Sequence, residues 1–345
     1  MLVPALYVAA EAARRAAGAY DVHIMAEEGE LDGEHRRWME ARNIQAIAGL
    51  DFSDLRRITL ANTRLTSATL IRLVMPEILA GRYDRVLYLD ADTEIAGDIG
   101  GMFKLDLNGA VLAAVPASRV PKLEPPGAYR QRVAHFRALG MSEPYRFFNS
   151  GVMLIDIARW LKQGIGMRAL EFIRDNPSIC WLPDEHSLNA VLDGRICELS
   201  PIWNFRTTSM TLLRGRDDVV PVIRHYDGPQ KPWKRFARGR RLFSLEGAYR
   251  RYRRFAAATP WRDWLGRQWS PQDLLDNLRY EVRALFAHAS GRKVRGVRTR
   301  QRHRKLRKIY LRYLRETTFD DVRQGIAVFR NGRLMLDPDR GAADS

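Results

Sequence analysis

Up to about Pro232 the chain alternates short apolar runs with longer amphipathic ones. The apolar runs "DVHIMA", "IQAIAG", "RVLYLD", "AVLAAVP", "FFNSGVMLID", "RICELS" and "VVPVIRHY" predict strands. Between several of them lie helical patterns, "TSATLIRLVMPEILAG" and "IARWLKQGIGMRALEFIRDN". Strands alternating with helices predict an α/β fold. Pro76 falls inside the first of those helices and predicts a kink or a new turn, with Gly81 as the C-terminal stop. The stretch "VLYLDADTEIAGDI" places two acids directly after an apolar run, which predicts a buried parallel strand whose carboxyl end carries Asp90 and Asp92 to the sheet rim. Open α/β sheets bind ligands at that rim.

Beyond Trp233 the strand signals nearly vanish. "GAYRRYRRFAAATPWRDWLGRQW" and "SPQDLLDNLRYEVRALFAHAS" predict helices, the second opened by Ser270 as N-cap with Pro271 at its first position. "IAVFRNGRLMLD" holds Asn331-Gly332 between two apolar alternations and predicts a hairpin. The change of pattern divides the chain into residues 1–233, an α/β domain, and residues 234–345, a mainly helical extension. There are no internal repeats.

Charge sharpens that division. Of the 57 Lys and Arg, 29 lie in residues 234–345 against 11 of the 40 Asp and Glu, so the extension carries +18 of the net +17 and the first 233 residues are near neutral at −1. Twelve Lys or Arg fall between Arg292 and Arg315. Such a run suits nucleic acid through counterion release, an anionic lipid surface, or plain solvation. The extension's aromatics Trp261, Trp264, Trp269, Tyr310 and Tyr313 favour the lipid surface over nucleic acid. The chain has 345 residues, 46% of them hydrophobic, enough for a substantial core. Cys180 and Cys197 lack metal spacing and are too few for a disulfide framework, so they read as small buried apolar residues and fit a reducing cytoplasm. No run approaches the roughly 18 apolar residues of a membrane span, and "MLVPALYVAA" lacks a signal peptide's basic flank and cleavage pattern.

An Asp-Ala-Asp pair at a strand end has three readings. It can hold a divalent cation that also grips phosphates, with Mn²⁺ favoured over Mg²⁺ if an imidazole joins. It can open a phosphatase of the haloacid dehalogenase type, or merely cap a turn. The metal-and-phosphate reading calls for a distant imidazole and a cation for the diphosphate, and "HYDGPQKPW" offers His225 and, six residues on, Lys231.

The set "YLDAD", "FFNSGVMLIDI", "LPDEHSLNAVL", "SPIWNF" and "HYDGPQKPW", across roughly residues 1–235, resembles the retaining glycosyltransferases of family 8. That family includes bacterial lipopolysaccharide galactosyl- and glucosyltransferases and the glycogenins. The resemblance implies a GT-A fold, a Rossmann-like α/β domain, acting on a nucleotide sugar, usually a UDP-hexose, with Mn²⁺. It implies Asp90, Asp92 and His225 as ligands of a metal that bridges the donor's two phosphates, with Gly228 admitting the phosphates and Lys231 adding charge. Asn149 matches the family's sugar-contacting asparagine, Gly151 lets the chain pass close to the donor, and Arg72 matches an arginine that reaches the donor. The acceptor would be a glycan or lipopolysaccharide-type glycolipid, and the cytoplasmic enzyme would sit peripherally on the inner face of a membrane.

Two departures from the family pattern stand out. Where Asp-Gln-Asp is usual, this chain has Asp184-Glu185-His186. Asp184 would grip the sugar hydroxyls; Glu185 would lie near the reacting carbon, as a nucleophile or beside front-face departure within an ion pair, the latter being favoured; His186 would be its ion partner. The chain also opens at Met1 inside the turn that follows the family's first strand, so the sheet is expected to lack that strand, with a late start favoured over a lost pocket.

Overall fold

The computed structural model describes residues 2–16, 18–27, 29–50, 55, 58, 67–117, 126–142, 146–214, 216–228, 231–234, 245–265, 268, 270–289 and 300–338. Helix α1 (Leu2–Ala16) precedes β1 (Val22–Glu27), α2 (Gly33–Glu40) and β2 (Ile44–Leu50). A 3₁₀ turn at Ser67–Leu70 leads into α3 (Ile71–Ile78), β3 (Arg85–Leu89), β4 (Thr93–Ile95), α4 (Gly100–Phe103), β5 (Leu112–Pro116) and α5 (Pro126–Ala138). Then come β6 (Phe148–Asp156), α6 (Ile157–Lys162), α7 (Ile165–Asp175), α8 (Pro183–Leu192), β7 (Cys197–Glu198), β8 (Phe205–Arg206), α9 (Thr207–Leu212) and β9 (Ile223–His225). The last elements are α10 (Leu245–Ala257), α11 (Pro271–Ala289), α12 (Arg300–Glu316), α13 (Asp320–Arg323), β10 (Ala327–Arg330) and β11 (Arg333–Leu336).

The central sheet has the order β3-β6-β5-β7, and β4-β9-β8 forms a second sheet beside it. Strand β6 is buried at eight of its nine residues, which is why its stretch Val152–Ile155 is continuously apolar rather than alternating. Its period of two still sorts the side chains: Val152 and Leu154 join the core beneath α1 and α12, Met153 and Ile155 the core beneath α3, α6, α7 and α8. Among the described residues the parallel pair β1–β2 forms a separate two-stranded sheet.

Several expectations are corrected. Strand β3 is antiparallel to β6, not parallel, and each of its residues is only half-buried, because the described residues pair it along one edge. The helical pattern of residues 157–176 is two helices, broken where Gly164 takes φ 58°. The helix expected over residues 247–269 ends at Ala257, just before Pro260, whose ring and missing N–H oppose continuation. The run 219–226 contracts to Ile223–His225, since Pro221 cannot donate to a ladder. Pro76 lies inside α3, and Gly81 takes φ 75° just beyond it.

The hairpin β10–β11 turns on Asn331 (φ 51°) and Gly332 (φ 75°), the pair of positive φ angles a two-residue turn of this hand needs. Leu306, Tyr310, Leu314, Phe319, Ile326 and Leu334 from the C-terminal part pack into the same core as Trp203 and Leu154. The aromatic residues assigned to a lipid surface are also engaged inside. Trp261 stacks on His35 at 4.5 Å, Trp264 lies against Trp233, Tyr310 is buried with its hydroxyl 2.9 Å from Ser209, and Tyr313 meets Phe319 edge-on. Trp269 and residues 291–299 lie outside the described residues. Both cysteines are buried thiols, as expected.

Candidate active site

The end of β3 and the short β4 hold the Asp-Ala-Asp turn between them. Asp90 N–H donates to Gly151 O of β6 at 2.8 Å, and its carbonyl accepts from Thr93 N at 3.0 Å and Thr93 Oγ1 at 2.8 Å, which tightens the turn. In the β4–β9 ladder Thr93 faces His225, and Tyr226 N–H donates to Asp92 O at 2.9 Å. The two acids thus meet an imidazole that lies 135 residues beyond Asp90 and 133 beyond Asp92 in the chain. One ligand atom from each of Asp90, Asp92 and His225 lies within 4.8 Å of the others. His225 Nε2 is 3.1 Å from Asp92 Oδ1 and 3.7 Å from Asp90 Oδ2.

The groups around this triad fix its orientation. Asn204 Nδ2 donates to Asn149 Oδ1 at 2.8 Å, which leaves Asn204 Oδ1 facing His225 Nδ1 at 3.0 Å. His225 must therefore donate from Nδ1 and present Nε2 to the acids, the arrangement a metal-ligating histidine needs. Gly151 leaves the room: a Cβ there would overlap the His225 ring and lie 2.5 Å from Asp90 Oδ2. Two carboxylates and an oriented imidazole around such a space fit a divalent cation of the Mn²⁺ or Mg²⁺ kind.

Buried Arg72 on α3 clamps two acids, with Nη2 2.7 Å from Asp90 Oδ1 and Nη1 3.0 Å from Asp184 Oδ2. It also donates to Ser150 O at 3.1 Å, and its guanidinium stacks over Tyr88 at 4.6 Å. Asp184 and Glu185 start α8 behind Pro183, where the helix dipole favours acids. Ser150 Oγ donates to Asp184 Oδ2 at 2.8 Å, and Asn149 Nδ2 to Glu185 Oε2 at 2.6 Å. A continuous relay of amides thus runs from His225 through Asn204 and Asn149 to Glu185.

Burial pushes the Glu185 carboxyl up to about 7, with neighbouring Asp184 adding to the rise and Arg206 opposing it. Burial also disfavours the charged forms of Asp92 and His225, but their mutual hydrogen bond and, for Asp92, the Lys231 ammonium outweigh it. The carboxyl is held below its ordinary range and the imidazole above its own. Lys231 rests on Asp92 and donates to Tyr226 O at 3.1 Å, and Gly228 takes φ 85° between them.

Every candidate from the sequence except Gly228 is thus tied by a direct contact or close approach into one cluster, and Gly228 lies in the turn joining His225 to Lys231. His186 is not the ion partner of Glu185. Its ring packs among His135, Phe147 and Trp181, and burial, with His135 nearby, lowers it to about 4, so it stays neutral. Sequence reasoning also missed residues that orient the site. Asn204 sat unremarked inside "SPIWNF". Arg206, which pairs with Asp227 at 2.7 Å and faces Glu185, had no local signal.

The sequence model described as "Glycosyl transferase family 8" matches residues 5–237. General stress protein A of Bacillus subtilis is 24% identical over 231 residues, 62% of this chain and 77% of that protein. The lipopolysaccharide 1,2-glucosyltransferase of Escherichia coli is 28% identical over 207 residues, 57% of this chain and 56% of that enzyme. The chain therefore spans only about half the length of that transferase. Among solved structures, a galactosyltransferase named LgtC, in complex with donor and acceptor sugar analogues, superposes with a TM-score of 0.59 at 23% identity, over 75% of this chain and 92% of that one. At that identity the likeness speaks for the GT-A fold alone. The dehalogenase-type phosphatase reading of Asp90 and Asp92 has no support in these likenesses.

Proposed function

Because the chain belongs to glycosyl transferase family 8, a family of glycosyltransferases, we propose that it transfers a hexose, with retention, from a UDP-hexose to a glycan or lipopolysaccharide-type acceptor. The observation that carries this reading is the convergence of Asp90, Asp92 and His225 beside Asp184 and Glu185. Asp90, Asp92 and His225 would hold a divalent cation, Mn²⁺ or Mg²⁺, which would neutralise the charge that develops on the departing diphosphate. Lys231 adds a point charge at the phosphates, and Gly228 admits them without a Cβ in the way. Asp184, fixed by Arg72 and Ser150, accepts hydrogen bonds from sugar hydroxyls. Asn149 holds Glu185 at the sugar's reacting side. The departing phosphate itself accepts the acceptor's proton, so Glu185 serves as a polar wall rather than a nucleophile.

UDP release from UDP-glucose and UDP-galactose tests the reading. Release with Mn²⁺ that EDTA abolishes is the expected result, and release of inorganic phosphate instead would overturn it. The basic residues of 234–345 carry the second part of the proposal, attachment to the anionic inner face of a membrane next to a glycolipid acceptor. No helix among the described residues is long and apolar enough to cross a membrane.

A further inference from the structure

Helix α11 turns its apolar side outward. Leu275, Leu278, Val282, Leu285 and Phe286 fall at i, i+3, i+7, i+10 and i+11, one stripe of a helix. They are 47%, 52%, 53%, 68% and 67% exposed, and they make up half of the large exposed apolar side chains among the described residues. The polar side points the other way: Asn277, Tyr280 and Glu281 are half-buried, and Asp273 pairs with Lys234 at 3.4 Å. Arg279 and Arg283, both exposed, line one edge of the stripe.

An apolar stripe of this size is covered in use, by a second copy of the chain or by a bilayer. Charge decides between them. Residues 234–345 carry a net +18, and Arg304, Lys305, Lys308, Arg312 and Arg315 are exposed on α12. A second copy would bring the same charge to the contact, whereas an anionic bilayer brings the opposite one. With Trp261, Trp264, Tyr310 and Tyr313 engaged internally, the apolar contribution to such a contact falls to α11.

We propose that α11 lies in the plane of an anionic bilayer, with Leu275, Leu278, Val282, Leu285 and Phe286 among the acyl chains and Arg279 and Arg283 at the lipid phosphates. The inference deepens the membrane attachment proposed above and rests on it. It assigns the apolar half of that attachment to one helix face.

The test uses the full chain on vesicles of phosphatidylglycerol and phosphatidylcholine. Leu285→Ser combined with Phe286→Ser should weaken co-sedimentation by roughly tenfold or more, because two large apolar side chains no longer leave water. The variant should keep wild-type UDP release, which shows that it folds. Phe286→Cys, labelled with a polarity-sensitive dye, should shift to the blue on the vesicles; Cys180 and Cys197 are buried and stay unlabelled. If the wild type binds, the double variant binds equally and the dye does not shift, the α11 assignment is overturned while membrane attachment stands. If the wild type fails to bind these vesicles at any salt concentration, both fall. If light scattering finds a wild-type dimer that the double variant loses, with vesicle binding unchanged, the stripe is an interface between copies and the proposal is overturned.

Discussion

Arg251 of α10 donates through Nε and Nη2 to the buried carboxylate of Glu94 on β4, with Nη2 2.9 Å from Oε2. Glu94 also accepts from Tyr226, next to His225, and faces Arg224 across the β4–β9 ladder. One carboxylate therefore binds the C-terminal extension to the strand pair that presents Asp92 and His225. Arg251→Met leaves Glu94 buried with one cation fewer, which should cost about 2 kcal/mol, toward the low end for a buried pair because the arginine is partly exposed. The expected outcome is a lower Tm together with a smaller rise in Tm on adding Mn²⁺. Arg251→Lys should recover part of both. A full Mn²⁺ response in Arg251→Met would separate the extension from the metal site.

Gly151 permits the close approach of β6 to the triad. In Gly151→Ala the new methyl would collide with the His225 ring and Asp90. Displacing a ligand by about 1 Å is worth on the order of a hundredfold in rate. Calorimetry should find Mn²⁺ binding lost or strongly weakened, with UDP release down by about that factor. The chain should still fold, because the collision involves side chains at the site rather than the core of β6. Undiminished Mn²⁺ binding would mean that the cation sits elsewhere.

How far the site was legible in the sequence follows from how local each signal was. Asp90, Asp92, His225 and Lys231 lie in short dense motifs, and the structure brings all four together. Glu94, Arg206 and Arg251 act through partners distant in the chain, so nothing beside them in the sequence marks their role. Strands β4 and β8 are three and two residues long, too short for a periodicity to register. The direction of β3 escaped because an apolar run reports burial, not which way its neighbour travels. His186 was misread because an acid beside it in sequence is not beside it in space: successive helical residues point about 100° apart.

The adjacent acids of α8 have different environments and should respond differently to loss of charge. Asp184 is paired with Arg72, so Asp184→Asn should remove most activity. Glu185 is pushed up by burial to about 7 from an ordinary 4.5. The folded chain then holds a proton there that the unfolded chain has released, so stability falls as pH rises from about 4.5 to about 7. Replacing Glu185 by Gln removes that loss. Its Tm should match wild type near pH 4.5 and exceed it by a growing margin up to pH 7.5, while UDP release stays within about tenfold. A covalent sugar trapped on Glu185, seen by mass spectrometry, would reverse the assignment and make it the nucleophile.

The proposed function gives Lys231 two roles that pull metal and donor affinity in opposite directions. Its ammonium rests on Asp92 and helps hold that carboxyl ionised. Without donor it competes with a divalent cation for the same oxygens, so Lys231→Met should bind Mn²⁺ more tightly than wild type by calorimetry. With donor present the diphosphate offers the lysine another partner, and losing that contact removes a charge-assisted hydrogen bond of about 1.5–3 kcal/mol. The same substitution should therefore weaken UDP binding in saturating Mn²⁺ by roughly tenfold to a hundredfold. The opposite signs are the test. A change of the same direction in both affinities would reduce Lys231 to a structural partner of Asp92, and the phosphate contact would have to come from another cation of the site.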